Sequence, residues 1–278
     1  RLGALLGVDR DALVGRPVFE LVAPEHVFAA RTRFARRQRG IAETHEMMLR
    51  HRAGHGLWVN VSASSLTDAD GAFAGVLYTV SDIEPLKAVE RRLARQQHVL
   101  EMIATGRDRD DVLDAVARLV EAEMAGGHAS VQLVVDAGRR LRCVAAPTLP
   151  RPIAAACDGL PVGPDAGSCG TAAFTRQPVV VADCATDRRW AGARALARAH
   201  GIAACWSTPV LDADGTVLAT VAVYRPVMGA PNAAHVRLLE AATHLVFLVL
   251  ERGRADEARR EREDDQRFLA DFGSALQS

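Results

Sequence analysis

The sequence predicts an α+β protein of two domains, each built on an antiparallel sheet, joined and followed by long helices that form coiled coils. Three observations predict this fold class. The length of 278 residues suits about two domains. Two blocks of alternating apolar and polar residues contain hairpin turns such as Asp68-Ala69-Asp70-Gly71 and Asp212-Ala213-Asp214-Gly215. Apolar residues at steps of three and four lie between the blocks and after the second one.

Composition excludes several classes of protein. Lys+Arg and Asp+Glu both number 34, so no net charge attracts the chain to nucleic acid or to an anionic membrane. The clearest apolar run, residues 245–250, is far shorter than the roughly 20 residues of a membrane span. Five cysteines without a Cys-x-x-Cys pair disfavour a disulfide framework and a structural zinc site. We therefore expect a cytoplasmic location, no nucleic-acid partner and no membrane span in this region.

The first block, residues 1–84, predicts short helices followed by three antiparallel strands. Pro24 opens an amphipathic helix, since proline is favoured in the first helical turn. Strands are predicted over 44–51, 58–63 and 74–80, separated by glycine-containing turns.

These turns and strands together resemble a PAS domain. The resemblance covers residues 2–84 and rests on Leu13-Val14-Gly15-Arg16, Pro24-Glu25-His26, Arg52-Ala53-Gly54, Trp58-Val59-Asn60-Val61-Ser62-Ala63, Asp68-Ala69-Asp70-Gly71 and Ser81-Asp82-Ile83. A PAS sheet has five strands, and the two that would precede Leu2 do not occur in this sequence. We expect a PAS domain that lacks its first strands, with an open pocket wall and unpaired sheet edges.

Residues 85–104 predict a helical linker with a heptad seam, whose members are Leu86, Val89, Leu93, Gln96, Leu100 and Ile103. A seam of this spacing favours a parallel coiled coil, and a buried Gln96 would help to fix its register. The linker therefore predicts a parallel homodimer. The alternative is a single amphipathic helix packed on its own domain.

The second domain spans residues 105–252. It predicts a first helix over 110–124 and strands over 129–135, 141–146, 179–181, 203–208 (ended by Pro209) and 217–224. Asn232 is predicted to cap a final helix whose apolar face includes Val246 and Val249.

The most distinctive segment is Gly167-Ser168-Cys169-Gly170-Thr171. Together with the stretches around it, this segment resembles a GAF domain, and the resemblance rests on residues 163–174, 177–183, 203–210 and 214–224. The resemblance implies a ligand pocket between the sheet and the segment 163–190. Its candidate lining residues are Gly167, Ser168, Cys169, Phe174, Cys184, Trp190, Cys205 and Trp206.

Local chemistry suggests roles within the Gly167 to Thr171 turn. Gly167 and Gly170 allow a tight turn that could present N–H groups to a ligand oxygen. Ser168 is a candidate helix N-cap. The Cys169 thiol, at the start of a short helix, could be acidified by the helix N-terminus. The alternative is that the glycines only shape the loop and the cysteines are small core residues.

The resemblance extends to the GAF subgroup of bacterial sensor histidine kinases and of cyclic-di-GMP synthases and hydrolases. It implies a non-catalytic sensory region of a multidomain protein in a two-component system or in cyclic-di-GMP signalling. Small-ligand or redox sensing would pass through dimeric helices, including the face with Val246 and Val249. Residues 253–278 are expected to be a signalling helix leading to a further domain, because Phe268, Leu269, Phe272 and Leu276 resemble the first helix of another such domain.

One enzymatic alternative remains open. GAF-fold free methionine-R-sulfoxide reductases are similar in the turn around Cys169 and in a second cysteine about a dozen residues earlier, here Cys157. The attacking cysteine and carboxylates of that family have no counterpart, because His200-Gly201-Ile202-Ala203-Ala204-Cys205-Trp206 stands in their place.

No cofactor is identified from the sequence. The candidate metal ligands Asp183, Cys184, His200 and Cys205 lack a diagnostic spacing. His200, His235 and His244 are candidate axial ligands for a haem. The Cys-His dipeptide that commonly attaches a covalent bilin does not occur in the sequence.

Overall fold

The computed structural model describes the backbone of residues 1–275 and the side chains of residues 1–256, 259–260, 262–264 and 266. The chain forms two compact units, divided between residues 94 and 95. Each unit has one antiparallel sheet, of three and six strands, so the predicted α+β class with two antiparallel sheets is confirmed. The apolar pattern at Phe268, Leu269, Phe272 and Leu276 lies outside the residues whose side chains are described.

The N-terminal unit places two helices and three short 3-10 turns against its sheet. The helices and strands are α1 (Leu2–Leu6), α2 (Val27–Arg37), β1 (Glu43–Arg50), β2 (Gly56–Thr67) and β3 (Phe73–Asp82). The strands pair in the order β1-β2-β3. Alternate residues of β2, among them Val59 and Val61, are buried because successive side chains of a strand point to opposite faces. They form one core with Leu6, Ala30 and Met47.

Helix α3 (Glu84–Ala104) follows β3, and the Asp82 carboxylate accepts a hydrogen bond from the Glu84 N–H at 2.8 Å. Four members of the predicted heptad seam are exposed by 43–55%, namely Leu86, Val89, Leu93 and Leu100. Gln96 and Ile103 are half-buried. Val99, which lies off the seam, is instead buried in the core of the C-terminal unit.

The C-terminal unit is a six-stranded sheet with helices on both faces. Its elements are α4 (Arg109–Ala122), β4 (His128–Val135), β5 (Arg140–Ala145), α5 (Arg151–Cys157), β6 (Leu160–Pro161), α6 (Gly167–Thr175), β7 (Val179–Val181), α7 (Arg194–Ala199), β8 (Ala204–Leu211), β9 (Val217–Arg225) and α8 (Ala233–Ala275). The strand order is β6-β5-β4-β9-β8-β7. The Asn232 side chain accepts a hydrogen bond from the His235 N–H at 2.9 Å, which is the predicted cap of α8.

The prediction that β8 ends at Pro209 is wrong, because the strand continues to Leu211 and Pro209 pairs with Thr220. The pairing of β7 with β8 stops at Ser207. One side of β8 is therefore unpaired at Pro209, so the missing N–H of proline removes no hydrogen bond between strands there.

Helices α4 and α8 cover one face of the sheet, and α5, α6 and α7 cover the other. The first face has a core that includes Val116, Val120, Trp206, Val246 and Val249. The assignment of Val246 and Val249 to a dimer surface is therefore corrected, since their exposed fractions are 0% and 6% within the unit itself. Their helical spacing fits packing on the sheet as well as it fits a coiled coil.

Among the described residues, one stretch, Ala233–Asp256 of α8, has the length and composition of a membrane-spanning helix, with a mean hydropathy of 1.5. A third of the most apolar 18-residue segment of this stretch is buried inside the unit, where its apolar face contacts the sheet.

Candidate functional site

A cavity of about 320 Å³ lies in the C-terminal unit, on the face of the sheet covered by α5, α6 and α7. Most of its wall is apolar, and it includes two thiols, a phenol and an indole. Residues of the wall include Ile153, Ala156, Cys157, Leu160, Gly167, Ser168, Cys169, Trp190, Ala193, Leu196 and Tyr224. Four predicted site residues, Gly167, Ser168, Cys169 and Trp190, thus meet at one cavity.

The glycines of the distinctive turn shape the start of α6. Gly167 has a φ of +62°, in the left-handed region that favours glycine. A Cβ atom at Gly170 would lie 2.3 Å from the carbonyl oxygen of Pro161, so only glycine fits there. The N–H of Gly170 donates to the carbonyl of Ala166 at 3.1 Å. The expectation that Gly170 offers this N–H to a ligand is therefore wrong.

Ser168 does not cap α6, which begins one residue before it and has no side-chain cap. Its hydroxyl instead accepts a hydrogen bond from the Trp190 indole N–H at 2.9 Å and donates to the Cys205 carbonyl at 3.4 Å. Because Ser168 and Trp190 are both buried, this bond holds the indole in place as one wall of the cavity.

The hydroxyl of Tyr224 is the centre of a buried polar network. It lies 3.2 Å from the Cys157 sulfur and 3.1 Å from the Ser130 hydroxyl, and it accepts from the Gln132 amide N–H at 3.2 Å. The Thr220 hydroxyl donates to the Gln132 carbonyl oxygen at 2.9 Å. Each polar side chain in the network has a partner, so the network fixes the position of the Tyr224 ring, which lines the cavity.

The five thiols differ in acidity. A hydrogen bond with the Cys205 thiol, and secondarily one with the Tyr224 hydroxyl, lower the pKa of Cys169 to about 7 against the opposing effect of burial. Burial raises the pKa of Cys157 to about 12. Side-chain hydrogen bonds are therefore the main cause of the acidity of Cys169. Burial likewise raises the pKa of each remaining thiol, Cys143 and Cys184 to about 11 and 12 and Cys205 well above its usual value.

Four predicted site residues do not line the cavity. Phe174 is 54% exposed, near the end of α6. Cys184 and Cys205 are buried in the hydrophobic core beside the cavity. Trp206 lies on the opposite face of the sheet, where its indole N–H donates to the Gly229 carbonyl at 2.9 Å. Cys205 and Trp206 are neighbours in β8 and must point to opposite faces, so they could not both face one pocket.

Sequence reasoning missed Tyr224, which lines the cavity, and Gln132, which donates a hydrogen bond to the Tyr224 hydroxyl. One signal was present in the sequence: Gln132 interrupts an apolar strand between Val131 and Leu133. A polar side chain in a buried strand needs a buried partner, which predicts a network at that point of the sheet.

No group of three or more His, Cys, Asp or Glu side chains that could hold a metal ion occurs among the described residues. The metal-ligand candidates of the sequence, Asp183, Cys184, His200 and Cys205, form no such group.

Comparison with known proteins gives matches in both units. A PAS domain model matches residues 2–85, and a GAF domain model matches residues 106–251. The methyl sulfide methyltransferase-associated sensor of Methanosarcina acetivorans is 29% identical over 190 residues, which are 68% of this chain and 19% of that protein. The chain thus spans about a fifth of the length of this curated relative.

Solved structures of GAF-fold proteins match part of the chain. A putative GAF sensor protein from Burkholderia vietnamiensis is 21% identical, with a TM-score of 0.49, over 60% of this chain and 98% of that one. Free methionine-R-sulfoxide reductase from Neisseria meningitidis, in complex with its substrate, is 16% identical, with a TM-score of 0.48. The match covers 59% of this chain and 89% of the reductase chain. The GAF model matches more than half of the chain, and this protein therefore belongs to the GAF domain family, with a PAS domain preceding its GAF domain.

Proposed function

We propose that this chain is the sensory region of a multidomain signal-transduction protein, and that its GAF cavity binds a small neutral ligand whose presence is transmitted through dimeric helices. PAS and GAF domains of sensor type and the curated sensor relative support a non-catalytic sensory role. The proposed output is a histidine kinase or a cyclic-di-GMP enzyme in another part of the protein.

The observation that carries this proposal is a cavity of about 320 Å³ whose charged neighbours are already paired. Arg189, at its edge, donates to both oxygens of the Asp187 carboxylate at 2.9 and 2.6 Å. Asp165, also at the edge, pairs with Arg188 at 3.0 Å. An apolar wall with hydroxyl and thiol groups, whose arginine and aspartate neighbours are already paired, suits a neutral, largely apolar molecule with one hydrogen-bonding group.

The sheet offers a direct path from the cavity to the helices. Tyr224 contacts the cavity, and the next residue along β9, Val223, packs in the core formed with α4 and α8. Trp206 of the neighbouring strand lies in that same core. A ligand that displaces β9 would therefore move the surface on which α8 packs.

The exposed seam of α3 supports the dimeric part of the proposal. Native mass spectrometry of the whole chain should show a dimer of the 29.8 kDa protomer. Leu93→Lys should give monomer, because it places a charge in the seam. Ala94→Lys, at an exposed position off the seam, should leave the dimer intact. A monomeric parent protein would contradict the proposed dimer.

The same measurement tests occupancy of the cavity. A small molecule retained by the parent protein should be absent from Ala193→Leu, which fills part of the cavity wall. Ala199→Leu, on the exposed side of α7, should keep it. An adduct that survives Ala193→Leu would place the ligand elsewhere.

A thiol enzyme is the second candidate, favoured by the placement of Cys157 and Cys169 on one cavity, at 3.2 and 4.0 Å from the same Tyr224 hydroxyl. In such an enzyme two thiols would be oxidised to a disulfide while a sulfoxide is reduced and its oxygen leaves as water. A coupled assay on methionine sulfoxide tests this function. Activity lost in both Cys169→Ser and Cys157→Ser would support the enzyme, and an inactive parent protein would reject it.

A further inference from the structure

A separate cavity of about 90 Å³ lies inside the N-terminal unit, between α2 and the inner face of its sheet. Its wall is almost wholly apolar and includes Val22, Met47, Leu49 and Val61. Arg37, the last residue of α2, is the charged exception. What this cavity binds is independent of the function proposed for the GAF unit.

The guanidinium of Arg37 is buried without a counter-ion. The residue is 2% exposed, and its Nε has no hydrogen-bond partner. One terminal nitrogen, Nη2, lies 3.4 Å from Nδ1 of His45, and Cζ lies 5.3 Å from the centre of the Tyr78 ring. Among the described residues, no carboxylate forms an ion pair with Arg37, although its neighbours in α2 have such partners.

The groups around Arg37 do not balance its charge. Glu43, on the same face of β1 as His45, pairs with Arg36 at 2.8 Å and with Arg33 at 3.9 Å. Burial, and then the charges of Arg33 and Arg37, lower the pKa of His45 to about 4, so this ring is neutral at neutral pH. The cavity therefore holds one positive charge with a neutral imidazole and a phenol beside it.

A buried ion is strongly disfavoured unless it is paired, and the planar fork of guanidinium donors matches a carboxylate. We propose that this cavity binds a small monocarboxylate, whose carboxylate pairs with Arg37 and whose alkyl chain contacts Met47, Leu49 and Val61. His45 and Tyr78 border the same cavity and can hydrogen-bond to the second carboxylate oxygen.

Size and polarity select this class of anion. A volume of 90 Å³ is about three times the roughly 30 Å³ that one water molecule occupies in the liquid, so the cavity admits only a short-chain acid. Inorganic phosphate is excluded as the preferred ligand because it carries more charge and needs more donors than one arginine in an apolar wall supplies.

Isothermal titration of the whole chain with acetate, butyrate and isovalerate tests the proposal directly. At least one of these acids should bind saturably at millimolar concentrations. Butyramide, which has the same shape without the charge, and inorganic phosphate should give no saturable heat. Equal binding of butyrate and butyramide, preference for phosphate, or no binding of any of the three acids would overturn the proposal.

A pair of variants locates the site. Arg37→Met keeps the length of the side chain without its charge and should weaken carboxylate binding by roughly 30-fold or more. Arg33→Met, at the neighbouring arginine that pairs with Glu43, should leave binding within about twofold. Circular dichroism establishes that each variant is folded. Unchanged binding by folded Arg37→Met would overturn the assignment to this cavity.

Discussion

The two cavities of this protein lie in similar places, each between a sheet and the helices that cover it, yet their polar groups are arranged in opposite ways. In the GAF unit, the buried Gln132 and Tyr224 satisfy one another, the charged side chains at the cavity edge are paired, and the buried group without a partner among the described residues is a neutral hydroxyl, that of Ser207. In the PAS unit, Arg37 is buried with an unpartnered nitrogen. A complete network specifies its own geometry without a ligand, whereas an unpaired charge is stabilised only when an anion arrives.

The difference also separates two kinds of recognition. The GAF cavity, with thiols and a phenol in an apolar wall, suits a neutral molecule or an oxidant. The PAS cavity suits a small anion. The two proposals together would give one chain two chemically unrelated signals, and substitutions at the two polar centres should have effects of opposite sign.

The largest effect is expected for Gln132→Met. This substitution leaves the buried hydroxyls of Thr220 and Tyr224 without their amide partner, at a cost of about 2–4 kcal/mol in the free energy of unfolding. Urea denaturation of the C-terminal unit measures this loss of unfolding free energy. Gln97→Met, at an exposed position of α3, serves as the control and should change little. Similar midpoints for the two variants would show that the network does not stabilise the unit.

Gly170→Ala should reduce stability by about 1–3 kcal/mol, because the new methyl group would meet the Pro161 carbonyl. The matched control is Gly192→Ala, at a glycine of the same cavity where a Cβ atom meets nothing within 4 Å. Thermal unfolding of both variants provides the comparison. Equal melting temperatures would contradict the close approach at Gly170.

Arg37→Met should have the opposite sign and increase the stability of the ligand-free PAS unit by about 1–2 kcal/mol, because it removes an unpaired buried charge. Arg33→Met should change stability by less than about 1 kcal/mol, since it only breaks a partly exposed ion pair. Denaturation in buffer free of carboxylic acids measures both. A destabilised Arg37→Met protein would mean that the guanidinium is already adequately paired.

The smallest effect is a pH dependence at Cys169. Hydrogen bonds from Cys205 hold its folded-state pKa at about 7, below the usual thiol value, so its contribution to stability is present at high pH and is lost as pH falls through 7. Between about pH 7 and about pH 8 stability should therefore rise by about 1 kcal/mol. Cys143, Cys157 and Cys184, with raised pKa values, act only at higher pH.

The difference in unfolding free energy between the parent protein and Cys169→Ala isolates this contribution, because any histidine contribution is common to both. The difference should grow from about pH 7 to about pH 8. A constant difference across this range would show that Cys169 is protonated throughout.

Much of the fold was predictable because the information is local. Alternation of side chains, Asp-Gly turns and the Asn232 cap correctly indicated both sheets and the start of α8. The glycine turn also led to the cavity, through Cys169 and Trp190. Those signals depend on neighbours in sequence, which is why sequence reasoning could use them.

The remaining site depends on contacts between distant residues. The bond between Gln132 and Tyr224 joins residues 92 positions apart, and no local pattern specifies that pairing. The placement of Trp206 on the opposite face from Cys205 was available from strand alternation alone and was overlooked. The burial of Val246 and Val249 could not be predicted from the sequence, because a helix face that packs on a sheet and a coiled-coil seam have similar spacing.

The central claim is that the state of the GAF cavity is communicated across the sheet to α8. Hydrogen exchange of residues 233–256 in Ala193→Leu, which fills the cavity wall, tests this most directly, with Ala199→Leu on the exposed side of α7 as the control. The account predicts altered exchange along α8 in Ala193→Leu and parent-like exchange in the control. Parent-like exchange along α8 in a folded Ala193→Leu protein would contradict it.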